Sequence, residues 1–228
     1  MSVGIIAALP REVAALVQGW KRRQSPDGVV VYTDGYAVVA CAGMGAARAE
    51  LAVQAAMAAV SLNGLISVGL AGACDAGLRA GDVVRAGTVV DAGTGEKFED
   101  SRHWQVLVSV DAIAGRSEKE RLGRLYGAAA VDMEAAAVGR MARLHGLDFS
   151  AIKAISDEAD FEIEGLAQFA TADGQFREGA SALHAALRPA MWGKVIALGR
   201  NSSKALAALT AALRVELDLY RQRAKIDE

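Results

Sequence analysis

Apolar runs and polar breaks alternate along this chain in a repeating strand-then-helix rhythm. Residues 3–9 are apolar and stop at Pro10-Arg11-Glu12, after which Val13, Leu16, Val17 and Trp20 recur at helical spacing. Residues 29–33 and 36–41 predict a hairpin around Asp34-Gly35, a strong two-residue turn signal. Ala42-Gly43-Met44-Gly45-Ala46-Ala47-Arg48 then leads into a helix through Val60. Residues 64–70 and 83–90 read as strands, 91–100 as a polar loop, and 105–113 as a Val-rich strand. Ser117-Glu118-Lys119-Glu120 has the form of a capping box and predicts the start of a short helix. Ala129-Ala130-Val131 runs into Asp132-Met133-Glu134, followed at once by an Ala-rich helical pattern from Ala135 to Leu144. Asp132 is placed to cap that helix. Residues 149–155 form a last strand, which ends in the cluster Ser156-Asp157-Glu158-Ala159-Asp160.

Residues 189–228 are helical, with Leu206, Leu209, Leu213, Leu217 and Tyr220 near the 3.6-residue period. Asn201-Ser202-Ser203 is expected to divide this tail into two helices. Strands alternating with helices predict a single α/β domain over residues 1–188, a central mixed sheet flanked by helices. Residues 189–228 are then a helical C-terminal extension packed on it.

Composition narrows the function classes. The 228 residues are 53% hydrophobic and only 5% aromatic, which suits Val/Ile strands covered by Ala/Leu helices. A net charge of −2 offers no basic footprint for nucleic acid. No apolar run approaches the ~18–20 residues that span a bilayer, and Met1-Ser2-Val3-Gly4 lacks a signal-peptide pattern. Cys41 and Cys74 have no metal-ligand spacing and read as reduced thiols of a cytoplasmic protein. His103, His145 and His184 are scattered, so no metal site is expected. The tail carries seven Lys/Arg against four Asp/Glu, which leaves a peripheral membrane contact open, although packing on its own domain is the commoner use of such a helix.

Candidate chemistry gathers at strand ends, where α/β sheets place ligands. Met133 and Glu134 stand at a strand-to-helix junction, and a carboxylate there can accept from two adjacent sugar hydroxyls. Glu12 stands at the end of the first strand; in a first helical turn it equally favours the macrodipole. Gly43 and Gly45 permit close approach to the backbone, but the phosphate-loop pattern GxGxxG is absent, which excludes a dinucleotide-binding oxidoreductase. Arg48 meets either an anion or solvent.

Four pieces in order, Gly4-Ile5-Ile6-Ala7-Ala8-Leu9-Pro10-Arg11-Glu12, Val68-Gly69-Leu70-Ala71-Gly72 with Gly81-Asp82-Val83-Val84, Val131-Asp132-Met133-Glu134, and Ala154-Ile155-Ser156-Asp157-Glu158-Ala159-Asp160, resemble the nucleoside phosphorylase/nucleosidase superfamily. Within it the chain looks most like the hopanoid-associated phosphorylase branch, thought to remove adenine from adenosylhopane. That likeness rests on the short segment between Asp91 and Val131, on Val-Asp-Ala-Gly-Thr-Gly-Glu-Lys-Phe from Val90, and on a tail containing Leu187-Arg188-Pro189 and Gly199-Arg200-Asn201-Ser202.

The resemblance implies cleavage of the N-ribosidic bond of a 5′-substituted adenosine, with phosphate or water as co-substrate and no cofactor. Asp157 is implied as general acid at purine N7, with Ser156 orienting it. Glu134 would hold the ribose 2′- and 3′-hydroxyls, Met133 would pack by the sugar, and Glu12 would activate water. Met44 beside Gly43 matches a position that packs on sugar or base, and Ile113 lies near one that stacks an aromatic on the purine. Leu70 replaces a Ser and Lys153 an Arg of relatives; Arg48 and Lys153 are the candidates for phosphate. Glu12, an anion in the pocket, favours water. The resemblance also implies a homo-oligomer. A methylthioadenosine/S-adenosylhomocysteine nucleosidase or purine nucleoside phosphorylase, and a non-catalytic nucleoside-binding module, are the rival readings.

Overall fold

Ile5 and Ile6 are chain neighbours, yet they bury in different clusters, as successive side chains of a strand covered on both faces must. The computed structural model describes residues 2–161 and 189–226; His184 and Leu187-Arg188 lie outside the described residues. Its strands are β1 (Val3–Ala7), β2 (Lys21–Gln24), β3 (Val30–Thr33), β4 (Ala37–Cys41), β5 (Gly64–Ala73), β6 (Val83–Asp91), β7 (Lys97–Glu99), β8 (Gln105–Ser109), β9 (Ala128–Asp132) and β10 (Asp148–Asp157). Its helices are α1 (Pro10–Val13), α2 (Ala46–Ala59), α3 (Arg116–Tyr126), α4 (Ala135–His145) and α5 (Pro189–Ile226).

The sheet is mixed. β1 pairs in parallel with β4 and β5, and β5 in parallel with β10. β10 and β6 are antiparallel, β6, β8 and β9 follow in parallel, and β9 returns antiparallel to β5. That circuit closes five strands on themselves, while β1, β4, β3 and β2 continue outward as an open sheet.

One face of the open sheet packs Ile5, Val39, Ile66, Val68 and Ile152 against Ala205, Leu209, Leu213 and Leu217 of α5. Leu209 and Leu213 are fully buried, each contributing on the order of 1.5–3 kcal/mol. The other face sets Ile6, Val38, Ala40 and Leu65 against Ala49, Ala52, Val53 and Ala56 of α2 and Val138 and Met141 of α4. Alanines on both helices let them lie close to the sheet. No described helix is long and apolar enough to cross a membrane.

Several elements differ from the sequence expectation. The helix expected through Trp20 ends at Val13, although Leu16 and Val17 still bury. Lys21–Gln24, exposed at every position, is an edge strand held by backbone pairing to β3. The polar loop after Asp91 contains β7, of which only Phe98 is buried. The strand predicted over residues 105–113 stops at Ser109. Helix α3 starts from Gly115, so Ser117 lies inside its first turn and does not cap it. The tail is one helix through Asn201-Ser202-Ser203, where the Ser203 hydroxyl donates to the Gly199 carbonyl at 2.9 Å within the helix.

Candidate active site

The carboxyl ends of β1, β4, β5, β8, β9 and β10 surround a cavity of about 180 Å³. Glu12, Met44, Leu70, Ile113, Met133, Glu134, Ser156 and Asp157 all line it. Eight of the eleven residues singled out from sequence therefore meet in one place.

Glu12 is placed by a one-turn helix. Pro10 fills its first position, where a missing N–H leaves no bond unmade. The turn folds the Glu12 carboxylate back so that Oε2 accepts from Leu9 N–H at 2.9 Å, while Oε1 accepts from Leu70 N–H at 3.2 Å. The side chain is buried, and the second bond ties β1 to the end of β5.

Beneath the cavity lies a buried charge cluster. Asp132 Oδ2 accepts from Ala135 N–H at 2.9 Å and Glu134 N–H at 3.3 Å, so it caps α4 as expected, although it sits in β9. The same oxygen meets Lys153 Nζ at 2.8 Å, and Oδ1 accepts from the Ser109 hydroxyl at 2.6 Å. Lys153 also donates to the Val68 carbonyl at 3.2 Å. Burial works against the Lys153 charge, but Asp132, Glu134 and Glu12 outweigh it and hold the ammonium above its ordinary range.

Glu134 follows Asp132 and reaches the loop before α2, where Gly45, at φ +91°, presents its N–H to Oε1 at 2.7 Å. Burial chiefly, and then Asp132 and Glu12, push its carboxyl up to about 7, against the opposing pull of Lys153 and the Gly45 N–H.

At the end of β10 the Ser156 hydroxyl stands 2.7 Å from Asp157 Oδ1 and 3.3 Å from the Ala71 carbonyl. Lys119 of α3 forms an ion pair with Asp157 Oδ2 and donates to the Glu158 carbonyl at 2.9 Å. Sequence reasoning missed Lys119. Its signal was periodicity: Lys119 stands one helical turn before Leu122, and both are fully buried on one face of α3. A charged residue on the apolar face of a short helix needs a buried partner.

Gly43, Arg48 and Lys153 do not line the cavity. Gly43 donates its N–H to the Ala8 carbonyl at 2.9 Å and so ties β4 to β1. The Arg48 guanidinium donates to the carbonyls of Ala42 and Asp27. The Lys153 ammonium is engaged by Asp132 and the Val68 carbonyl. Cys41 and Cys74 are free thiols that burial pushes up to about 12.

Many solved structures share this fold, three of them as follows. Futalosine hydrolase of Helicobacter pylori aligns with a TM-score of 0.72 at 18% identity, covering 96% of this chain and 97% of that one. The 5′-methylthioadenosine/S-adenosylhomocysteine nucleosidase of Helicobacter pylori aligns at 0.70 and 17%, covering 96% and 98%. The S-adenosylhomocysteine nucleosidase of Streptococcus pyogenes, in complex with 5-methylthiotubericidin, aligns at 0.60 and 24%, covering 70% and 86%. A search of the curated proteins finds no match to the sequence. The family model of the phosphorylase superfamily, however, matches residues 2–111 and 103–190, and the chain belongs to that superfamily.

Proposed function

We propose that this protein hydrolyses the N-ribosidic bond of a 5′-substituted adenosine. The observation that carries the reading is the convergence of three separately anchored carboxylates, Glu12, Glu134 and Asp157, on one cavity. Breaking the bond between C1′ and N9 leaves positive charge on the sugar and negative charge on the base. Fixed anions at the sugar and a proton donor at the base lower both barriers. In this reading Asp157 protonates N7, steadied by the Ser156 hydroxyl. Glu134 accepts from the ribose 2′- and 3′-hydroxyls. Glu12 takes a proton from the water that attacks C1′.

Charge balance favours water over phosphate. Of the carboxylates in the lining, Asp157 is paired with Lys119 and Asp132 with Lys153 behind it, so both lysines are committed, and Glu12 and Glu134 face the cavity beside Arg11. Neither lysine is left to receive a phosphate dianion, and the Glu12 carboxylate beside the cavity disfavours one. The solved structures that share its fold include nucleosidases and a futalosine hydrolase, which supports the same class.

We further propose a bulky apolar 5′-substituent of the adenosylhopane kind. Leu70 and Met44 add apolar side chains to the lining, against which a polar 5′-group would lack partners. A cavity of about 180 Å³ is below the ~300–1,000 Å³ of sites that enclose a whole ligand, so such a substituent would extend beyond it.

The test is adenine release from adenosine, 5′-methylthioadenosine and a lipid-linked adenosine, each with and without phosphate. Release without phosphate is expected, fastest from the lipid-linked compound. Release that requires phosphate would replace hydrolysis with phosphorolysis. Release from 5′-methylthioadenosine alone would remove the lipid-linked substrate.

A further inference from the structure

We propose that Lys119 is the positioning residue of Asp157 and the source of the proton Asp157 passes to the leaving base; this rests on the hydrolase reading above. The side chain of Lys119 is 1% exposed, which for an isolated ammonium is strongly unfavourable. Its donors are all engaged: Asp157 Oδ2, the Glu158 carbonyl at 2.9 Å and the Phe161 carbonyl at 3.4 Å. The ammonium therefore clamps the end of β10 and the turn after it. Ser156 holds the other Asp157 oxygen. Gly72 makes room for the pair, since a Cβ there would stand 2.9 Å from both Asp157 Oδ2 and Lys119 Cε.

This geometry raises a chemical problem that Lys119 itself resolves. A carboxylate paired with an ammonium is ionised, and an ionised Asp157 has no proton to give. The adjacent store of protons is the Lys119 ammonium. A base that fills the cavity displaces water, and desolvation favours the neutral amine and acid over the ion pair. As the C1′–N9 bond breaks, its electron pair passes to the purine. N7 takes a proton from Asp157, and Asp157 takes one from Lys119 Nζ, leaving a neutral amine. Water adds to C1′ and gives its proton to Glu12. Exchange with solvent returns a proton to Lys119 and removes one from Glu12, so the cycle closes as nucleoside plus water giving free base plus ribose derivative.

The experiment compares leaving groups. One substrate is the adenosine that the wild-type protein cleaves without phosphate; the other is the 4-nitrophenyl riboside with the same 5′-group, whose phenolate departs unprotonated. In Lys119→Met, kcat on the adenosine is expected to fall about 100-fold or more, with KM unchanged. The nitrophenyl riboside is expected to keep its rate, and Lys119→Arg, which restores a cation beside Asp157 but cannot give up its proton, is expected to show the same split. If Lys119→Met fails to fold, Lys119→Gln, which keeps a donor to Asp157 but no transferable proton, is expected to show the same split. Equal slowing of both substrates, or of neither, overturns the role of Lys119. A wild-type protein that cleaves neither overturns the hydrolase reading on which it rests.

Discussion

The backbone N–H of Gly45 donates to Oε1 of Glu134 at 2.7 Å, joining two loops 89 residues apart in the chain. This bond is one of the few groups favouring a charged Glu134. Burial, Asp132 and Glu12 all favour the protonated form and bring the carboxyl to about 7. A carboxyl raised on folding binds its proton more tightly in the native state. Its contribution to stability is therefore complete below the unfolded value near 4.5 and is lost as pH rises towards 7. Glu134→Gln removes that dependence. The wild-type-minus-variant difference in Tm should fall between those two pH values, by an amount equivalent to on the order of 1–3 kcal/mol. A flat difference would mean that Glu134 titrates normally. In catalysis the same variant should lose about 100-fold in kcat/KM through the ribose hydroxyls.

Lys153 and Asp132 form an ion pair in which each side chain is 1% exposed. Lys153→Met leaves the Asp132 charge unpaired, with Glu134 close enough to repel it. Breaking such a pair typically costs about 3–5 kcal/mol, so urea unfolding should shift by that order. Lys153→Met/Asp132→Asn should recover part of the loss, because the double variant buries no lone charge. A single variant within about 0.5 kcal/mol of wild type would place Lys153 outside the structural cluster.

Much of this was readable in the sequence, for reasons that differ by element. The strands β5 and β10 are buried on both faces, so their apolar runs stand out. The ends of β1, β9 and β10 carry Glu12, Glu134 and Asp157, and the end of a strand by itself suggests a site. Lys21–Gln24 was invisible because an exposed edge strand is held by backbone pairing, which no side-chain pattern records. Asn201-Ser202-Ser203 looked like a break, but the stripe of Ala205, Leu209, Leu213 and Leu217 continues past it, and packing outweighs local propensity. Arg48 and Lys153 looked like anion ligands because charge is visible in sequence and direction is not. Lys119 was missed for the converse reason, since its partner is 38 residues away.

Gly72 permits a contact that no other residue would. Its missing Cβ is the space used by Asp157 and Lys119, at 2.9 Å from an atom of each. Gly72→Ala must displace one of the two, and overpacking of that kind costs about 1–3 kcal/mol. Activity should fall further than stability, because the displaced atom belongs to the group that faces the base. Melting curves and initial rates on one preparation check this, and full activity with an ordinary Tm would place the Asp157 carboxylate elsewhere during turnover.

On the proposed hydrolase reading, Glu12 is the residue that selects water over phosphate. Its carboxylate accepts from Leu9 at 2.9 Å and from Leu70 at 3.2 Å, and a general base needs such an orientation. Glu12→Gln keeps the shape and one of the two acceptor contacts, so the fold should survive with a loss of about 1–3 kcal/mol. Adenine should bind with unchanged affinity by calorimetry, because the base lies at the Asp157 side. The hydrolytic kcat should fall about 10²–10⁴-fold, the range a general base supplies. Phosphate, an anionic nucleophile that needs no base, tells the readings apart. If phosphate restores turnover in Glu12→Gln, the removed carboxylate was what excluded it. If wild type and variant turn over equally fast without phosphate, Glu12 is not the base and the water must be activated elsewhere.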